Sequence, residues 1–321
     1  MLDGSDSCCD LPAVPALGSA AATAPTVLEA HGLAYRFGNL HAVRGVDLRL
    51  ARGEVFGFLG RNGAGKTTTI RMLMGMIRPH AGTLRFFGGE PCRRTRTSEK
   101  RRIGYVSQAQ HFYPWMNANR LGRFVGGLYP SWDQDEFTRL LDRFHVPGRQ
   151  TVASLSGGTR AKLALALALA PRPELLILDE PMAGLDAVAR REFLDLLRAH
   201  AAEHGRTTFL SSHRIQEIER VCDRVGILDR GRLVYDGTIL ELRRLVRAVQ
   251  PPPGVVDPVD LPAGFKVLER RGEGEATRWI VHAERERWES FGGEEPSMVE
   301  LGLEDIFIAL VSAADRAPEN L

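Results

Sequence analysis

From Val27 onward the apolar residues gather into short runs divided by glycines and charges, and the runs predict strands alternating with helices. Residues 28–35 and 46–50 read as strands. Residues 55–59 (VFGFL) are apolar throughout, which suits a parallel strand buried on both faces. A glycine-rich turn and a helix over 67–76 follow, then strands over 82–87 and 103–107. Residues 111–145 are mostly helical in pattern, with aromatic insertions. In 163–170 leucine and alanine alternate, a period that by itself argues for a strand. These are the strongest helix formers and the stretch has no β-branched residue, so it reads as a helix, apolar all round and therefore buried. Strands over 175–178 and 207–211, helices over 187–202 and 216–221, and a hairpin of 225–228 with 233–235 complete the pattern. The hairpin turns through Asp229, Arg230, Gly231 and Arg232. Strands alternating with helices give an α/β sheet.

The flanks differ in composition. Residues 1–25 are rich in Ala, Pro and Ser with little periodicity, the mark of a disordered tail. Past Leu242 the pattern shifts again. The PPPG at 251–254 reads as a stiff linker, 265–269 and 279–282 as strands of a small appendage, and 303–311 as its closing helix. Residues 270–275, of mixed charge, read as an exposed turn. The expected organisation is a tail (1–25), a central domain (26–242) whose helical part is about 109–170, and a linker with a small extension (243–321).

Composition narrows the class. A length of 321 residues suits one full domain plus an extension, and 44% hydrophobic with 26% charged residues is the balance of an ordinary globular protein. The net charge of +2 sets up no global field for nucleic acid or anionic lipid. No apolar run approaches the roughly 18 residues that a membrane helix needs. Residues 1–25 lack a basic start and are broken by Pro12 and Pro15, unlike a secretory signal. The chain is expected not to cross a bilayer by itself. Cys8, Cys9, Cys92 and Cys222 fit neither a zinc spacing nor a CxxC pair, and read as reduced thiols of a cytosolic protein.

Three stretches carry chemistry. Gly60, Arg61, Asn62, Gly63, Ala64, Gly65, Lys66 and Thr67 match the spacing G-x-x-x-x-G-K-[ST], followed by Thr68. Glycines let backbone N–H groups point at phosphate oxygens, and the helix that follows turns its positive end to the anion. Lys66 can reach the β and γ phosphates, and the Thr67 hydroxyl can ligate Mg²⁺. Residues 175–180 (LLILDE) end a buried strand in two acids, where an open α/β sheet has its ligand crevice. There Asp179 would hold Mg²⁺ and Glu180 polarise the attacking water. Residues 155–159 (LSGGT) open the Leu/Ala helix; the turn is either a second phosphate site or a plain cap by Ser156. One nucleotide cannot easily use both helix starts of one subunit, which hints that the second serves a partner's ATP.

These stretches, with Gln108 after the strand at 103–107, Gly184–Leu185–Asp186, and His213 after Ser211 and Ser212, occur in an order that resembles the ABC-type ATPases over roughly residues 27–242. The resemblance implies a P-loop NTPase α/β fold with a RecA-like core, an antiparallel β subdomain and a helical subdomain, beyond which lies the small α+β extension. It implies that Tyr35 stacks on adenine; the alternative is a strand-edge tyrosine. It implies that Gln108 touches Mg²⁺ or the water and senses a membrane partner. Ser156, Gly157 and Gly158 would meet the γ-phosphate bound to an opposite subunit, Asp186 would lie at the dimer seam, and His213 would hydrogen-bond the γ-phosphate.

Implied partners are ATP with Mg²⁺, a transmembrane permease subunit and a second ATPase subunit, with no nucleic acid. The implied place is cytoplasmic, on the inner face of the cell membrane. Residues 112–116, 128–133 and 303–310 resemble exporter ATPases; Phe112, Tyr113 and Trp115 form either a docking patch or a local core. Three positions depart from the family's usual residues: Arg61 for Pro, Thr159 for Gln, and Met182–Ala183 for a small polar pair. None removes a catalytic group. Arg93, Arg94, Arg96, Lys100, Arg101 and Arg102 form a basic cluster, either a solvated loop or a surface for lipid headgroups. Two rival classes remain: an ABC protein acting on ribosomes or DNA, and a low-turnover partner of a more active subunit.

Overall fold

The computed structural model describes residues 25–250, 264–272, 278–290 and 298–316. The expected tail up to residue 24 with Cys8 and Cys9, the proline linker at 251–254, and part of the turn at 270–275 lie outside the described residues. The chain divides into two compact units between Leu233 and Val234, whereas composition alone ends the central domain at 242.

In chain order the first unit runs β1 (Thr26–Phe37), β2 (Leu40–Ala51), β3 (Val55–Gly60), α1 (Lys66–Leu73), β4 (Ala81–Phe86), α2 (Thr97–Lys100), β5 (Ile103–Val106), α3 (Ala118–Gly126) and α4 (Gln134–Arg143). Then come α5 (Gly157–Leu169), β6 (Leu175–Asp179), α6 (Ala187–His204), β7 (Thr207–Ser212), α7 (Ile215–Val221), β8 (Arg224–Asp229) and β9 (Arg232–Thr238), in which the division falls. Among the described residues these strands build an antiparallel sheet ordered β2-β1-β4 and a six-stranded sheet ordered β5-β6-β7-β3-β8-β9. The pairs β5–β6, β6–β7, β7–β3 and β3–β8 are parallel.

The local reasons are plain. Phe56, Phe58 and Leu59 of β3 are fully buried, as its unbroken apolar run requires. The Leu/Ala stretch is helix α5, buried along 163–170, so propensity prevails over the two-residue alternation. Asn117 caps α3 and Asp133 caps α4, each side chain accepting from the N–H three residues on. Helix α1 stops at Leu73, short of the expected Met76, because Gly75 turns left-handed at φ +60°. The β8–β9 turn places Arg230 (φ 44°) and Gly231 (φ 77°) in the left-handed region, as a tight type I′ hairpin demands.

The second unit contains α8 (Ile239–Leu245), β10 (Val246–Val249), β11 (Lys266–Arg271), β12 (Arg278–His282), α9 (Arg285–Ser290), β13 (Met298–Val299) and α10 (Leu303–Arg316). Its sheet is ordered β11-β12-β10-β13. A core of Val249, Trp279, Val281, Ala283 and Trp288 packs with Phe265 and Val267. The two expected strands and the closing helix are there; α8, β10, α9 and β13 are additions that the composition shift conceals.

Candidate active site

The loop after β3 owes its shape to backbone that only glycine tolerates. Gly65 has φ +109°, and a Cβ there would sit 2.4 Å from the Ala42 carbonyl oxygen. Gly63 is also left-handed, at φ +82°. The hairpin turn braces the loop from behind: Gly231 N–H donates to the Ala64 carbonyl (2.8 Å), and the Gly231 carbonyl accepts from Arg44 N–H (2.7 Å). Arg61, Asn62 and Gly63 are exposed, Thr67 and Thr68 half-buried. Lys66 is 4% exposed and turns back into its own loop, donating to the carbonyls of Gly60 (2.7 Å) and Arg61 (3.1 Å).

Strand order brings the acids to this loop. Strand β7 lies between β3 and β6, so its end stands between the phosphate loop and Asp179. Ser211 Oγ donates to Asp179 Oδ1 (3.0 Å) and accepts from Glu180 N–H (3.0 Å). Thr67 Oγ1 donates to the same Oδ1 at 3.2 Å. Glu180 leaves β6 with φ 43°, rare for a side-chain-bearing residue. Its carboxylate spans the site: Oε1 is 3.0 Å from Lys66 Nζ and Oε2 is 2.9 Å from His213 Nδ1. Burial pushes the Asp179 carboxyl above its usual range, and the negative Glu180 adds to this; hydrogen bonds from Ser211 and Thr67 and the Lys66 charge oppose it. A lysine, two carboxylates, two hydroxyls and an imidazole thus converge beside a glycine loop at a helix start.

Residues 43–183 match the family model for ABC transporters. The bacitracin transport ATP-binding protein BcrA of Bacillus licheniformis is 36% identical over 66% of this chain and 69% of its own length. The chain belongs to the ABC transporter ATP-binding family. It is a transport ATPase, binding and hydrolysing ATP on a P-loop NTPase α/β fold. The Nod factor export ATP-binding protein I of Ralstonia nicotianae is 37% identical over 72% of this chain and 71% of its own. Among solved structures, cbiO1 from Clostridium perfringens, part of the ABC transporter complex cbiONQ, aligns with a TM-score of 0.59 at 29% identity, covering 67% of this chain and 89% of that one.

Other residues that the ABC resemblance singles out stand apart from the convergence. Gln108 is exposed beyond β5 and makes no hydrogen bond to the acids; it is Gln110 that reaches the Pro181 carbonyl, at 3.5 Å. Tyr35 is stacked on His80 (centroids 4.7 Å) with Phe37 edge-on at 4.9 Å. Its register partner Val43 follows Ala42, whose carbonyl faces Gly65, so the aromatic group lies on the strands that flank the loop. Ser156 caps α5, accepting from Thr159 N–H (3.1 Å), and is exposed together with Gly157. Gly158 is closely packed: a Cβ there would be 2.9 Å from the Ala189 Cβ. Asp186 caps α6 through Ala189 N–H (2.8 Å).

The aromatic stretches of this ABC chain divide between two surroundings. Trp132 packs on buried Phe137 (5.2 Å), a local core, while Tyr113 and Trp115 lie 5.1 Å apart at 47% and 65% exposure. The basic cluster is largely engaged at home. Arg93 and Arg94 donate to carbonyls at His80 and Gly75, and Arg102 forks onto Glu174 and lies over the Phe87 ring. The contacts of Ser211, Gly231 and Phe37 around the loop and the acids were not among the expected ones. Only the Gly in the turn and the Ser-Ser before His213 offered a signal. Among the described residues no helix is long and apolar enough to cross a membrane.

Proposed function

We propose that ATP is cleaved against Glu180 while its phosphates lie on Gly60, Arg61, Asn62, Gly63, Ala64, Gly65, Lys66, Thr67 and Thr68, in a head-to-tail pair of ABC subunits. The observation that carries this reading is the single carboxylate of Glu180, joined at 3.0 Å to the loop lysine and at 2.9 Å to His213. A group so placed is within reach of the terminal phosphate and of a water beside it. Lys66 neutralises charge that develops on the transferred phosphoryl group, Glu180 orients and deprotonates the water, and His213 holds the γ-phosphate.

The residues fit Mg²⁺. Thr67 Oγ1 and Asp179 Oδ1 are hard oxygens 3.2 Å apart, and this ion is typically held by one or two protein oxygens with phosphates and water. When bound it polarises the phosphoryl oxygens. Gln108 would touch Mg²⁺ or the water, and its exposed place beyond β5 leaves it open to a membrane subunit. Tyr35, with Phe37, stacks on the adenine. Ser156, Gly157 and Gly158 close on the γ-phosphate of the second subunit, and Asp186 lies at the seam; the exposure of Ser156 and Asp186 supports this.

The chain energises export through a separate transmembrane permease subunit from the cytoplasmic face of the membrane. The export reading is supported by the relatives' names, and docking by the exposed Tyr113 and Trp115. The test is ATPase turnover of the purified chain, alone and with its co-purifying membrane protein. Stimulation by that protein and loss of turnover in His213→Ala are expected. A chain that takes up no ATP, or a His213→Ala variant with undiminished turnover, overturns the reading.

A further inference from the structure

A buried acid outside the nucleotide site links two loops that the reaction uses. Glu217 is the third residue of α7 and only 6% exposed. Its Oε2 accepts from Ser212 Oγ at 2.5 Å, and Ser212 Oγ in turn accepts from Arg214 N–H at 2.9 Å. Ser212, before His213, is thus held by the carboxylate, and Arg214, after it, by the Ser212 hydroxyl; the imidazole between them faces Glu180. The other oxygen of Glu217 is 3.0 Å from Arg190 Nε of α6. That N–H does not point along the contact, so the link is an ion pair and not a hydrogen bond. The same guanidinium donates through its second arm to the Leu185 carbonyl at 2.6 Å, one residue before Asp186.

We infer that Glu217 and Arg190 are positioning residues that tie the loop carrying Asp186 to the imidazole of His213. A shift of the Asp186 loop is passed through Arg190, Glu217 and the Ser212 hydroxyl to the contact at Glu180. The inference rests on the catalytic reading of His213 and Glu180 above. Burial is what gives the link stiffness: Arg190 and Glu217 are 18% and 7% exposed at their side chains, and water offers neither an easy alternative partner. Burial also raises the Glu217 carboxyl above its usual range, against the Ser212 hydrogen bond and the charges of Arg190, Arg214 and His213. The same two helices carry a second ion pair, Arg220 to Asp195 at 2.6 Å, which is exposed and touches neither loop. It is the natural control for packing of α6 on α7.

The experiment is steady-state ATPase kinetics and nucleotide affinity of the purified full chain in Glu217→Ala, Arg190→Met and the double variant, beside Asp195→Ala and His213→Ala. A displaced catalytic contact lowers kcat on the order of tenfold to a hundredfold. We expect that loss in each single variant, with KM and ATP affinity changed by no more than about twofold, and a double variant no slower than the worse single. Asp195→Ala, an exposed pair, stays near wild type. If Glu217→Ala fails to fold, Glu217→Gln, which keeps the volume, replaces it. Undiminished kcat in either variant, losses that multiply in the double variant, ATP affinity falling in step with kcat, or an equal loss in Asp195→Ala overturns the link. A His213→Ala variant with full turnover instead overturns the catalytic reading beneath it.

Discussion

Replacing Glu180 by Gln separates chemistry from binding, and the geometry fixes opposite signs for the two. The carboxylate pairs with Lys66 at 3.0 Å in a setting where the two side chains are 9% and 4% exposed. At an effective dielectric near 20 the gross attraction at that distance is about 5 kcal/mol. Most of it offsets desolvation, and a hydrogen bond to a charged group nets about 1.5–3 kcal/mol. An incoming triphosphate must displace this pair before Lys66 can serve it. Glutamine keeps an oxygen near Nζ but not the charge, so the resting competitor weakens while the two loop carbonyls still hold the lysine. ATP affinity should therefore rise by up to roughly tenfold, the equivalent of 1.4 kcal/mol. Turnover should fall by about 10²–10⁴, the usual share of a general base. Titration of a fluorescent ATP analogue gives the first number and single-turnover hydrolysis the second. Weaker nucleotide binding in the variant would refute the competition argument, and wild-type hydrolysis would remove Glu180 from its role.

Two further outcomes follow from the same atoms. Burial raises the Asp179 carboxyl in the folded chain, so the fold binds that proton more tightly than the unfolded chain does; stability from this site is present at low pH and lost as pH rises through the elevated value. Asp179→Asn, which keeps an acceptor for Ser211 and Thr67, should raise the neutral-pH Tm of the nucleotide-free protein by about 2–4 °C per kcal/mol relieved. The difference should shrink as pH falls, while Mg²⁺-dependent stabilisation by ATP disappears in the variant; calorimetry with and without a chelator reads both. Gly65→Ala forces a Cβ to 2.4 Å from a backbone oxygen at φ +109°, so about 1–3 kcal/mol of backbone strain plus the clash should lower Tm and abolish ATP uptake, and a variant that binds ATP normally would show that the loop can move.

How much of this was legible beforehand depends on whether a residue's meaning is local. The phosphate loop could be read because its spacing, the preceding apolar strand and the following helix are all neighbours in sequence, and the loop appears where that reasoning puts it. Motif order places Lys66 and Glu180 at one site, on the phosphates and the water, but does not give their direct contact at 3.0 Å. Ser211 could not be read at all: its role arises because β7 lies between β3 and β6, a fact of sheet order that no window of residues contains. Gly231 was legible as a hairpin turn but not as the brace behind Ala64, since that contact joins residues far apart in the chain. The basic cluster at 93–102 illustrates the converse. Its charges suggest a surface field, yet Arg93, Arg94 and Arg102 are drawn onto carbonyls and Glu174 close by. The compact units divide between Leu233 and Val234, ahead of the composition shift at 242, and α8 packs with β10 and α10, the second a contact that no window of residues contains.

Most charged groups of the site are paired with one another. Lys66 has three oxygen partners, and Glu180 has a lysine on one side and an imidazole on the other. Asp179 has two hydroxyls, and burial outweighs them in raising its carboxyl above the usual range. Binding is then an exchange and not an addition. On the proposed reading phosphate oxygens would take Lys66 from Glu180, Thr67 and Asp179 would hold the divalent cation, and Glu180 would keep His213 and a free oxygen for a water. On that reading the carboxylate paired with the lysine would become the base once the substrate has displaced it. That sequence gives a physical reason for the two roles to be combined in one side chain, held in strained backbone at the end of β6.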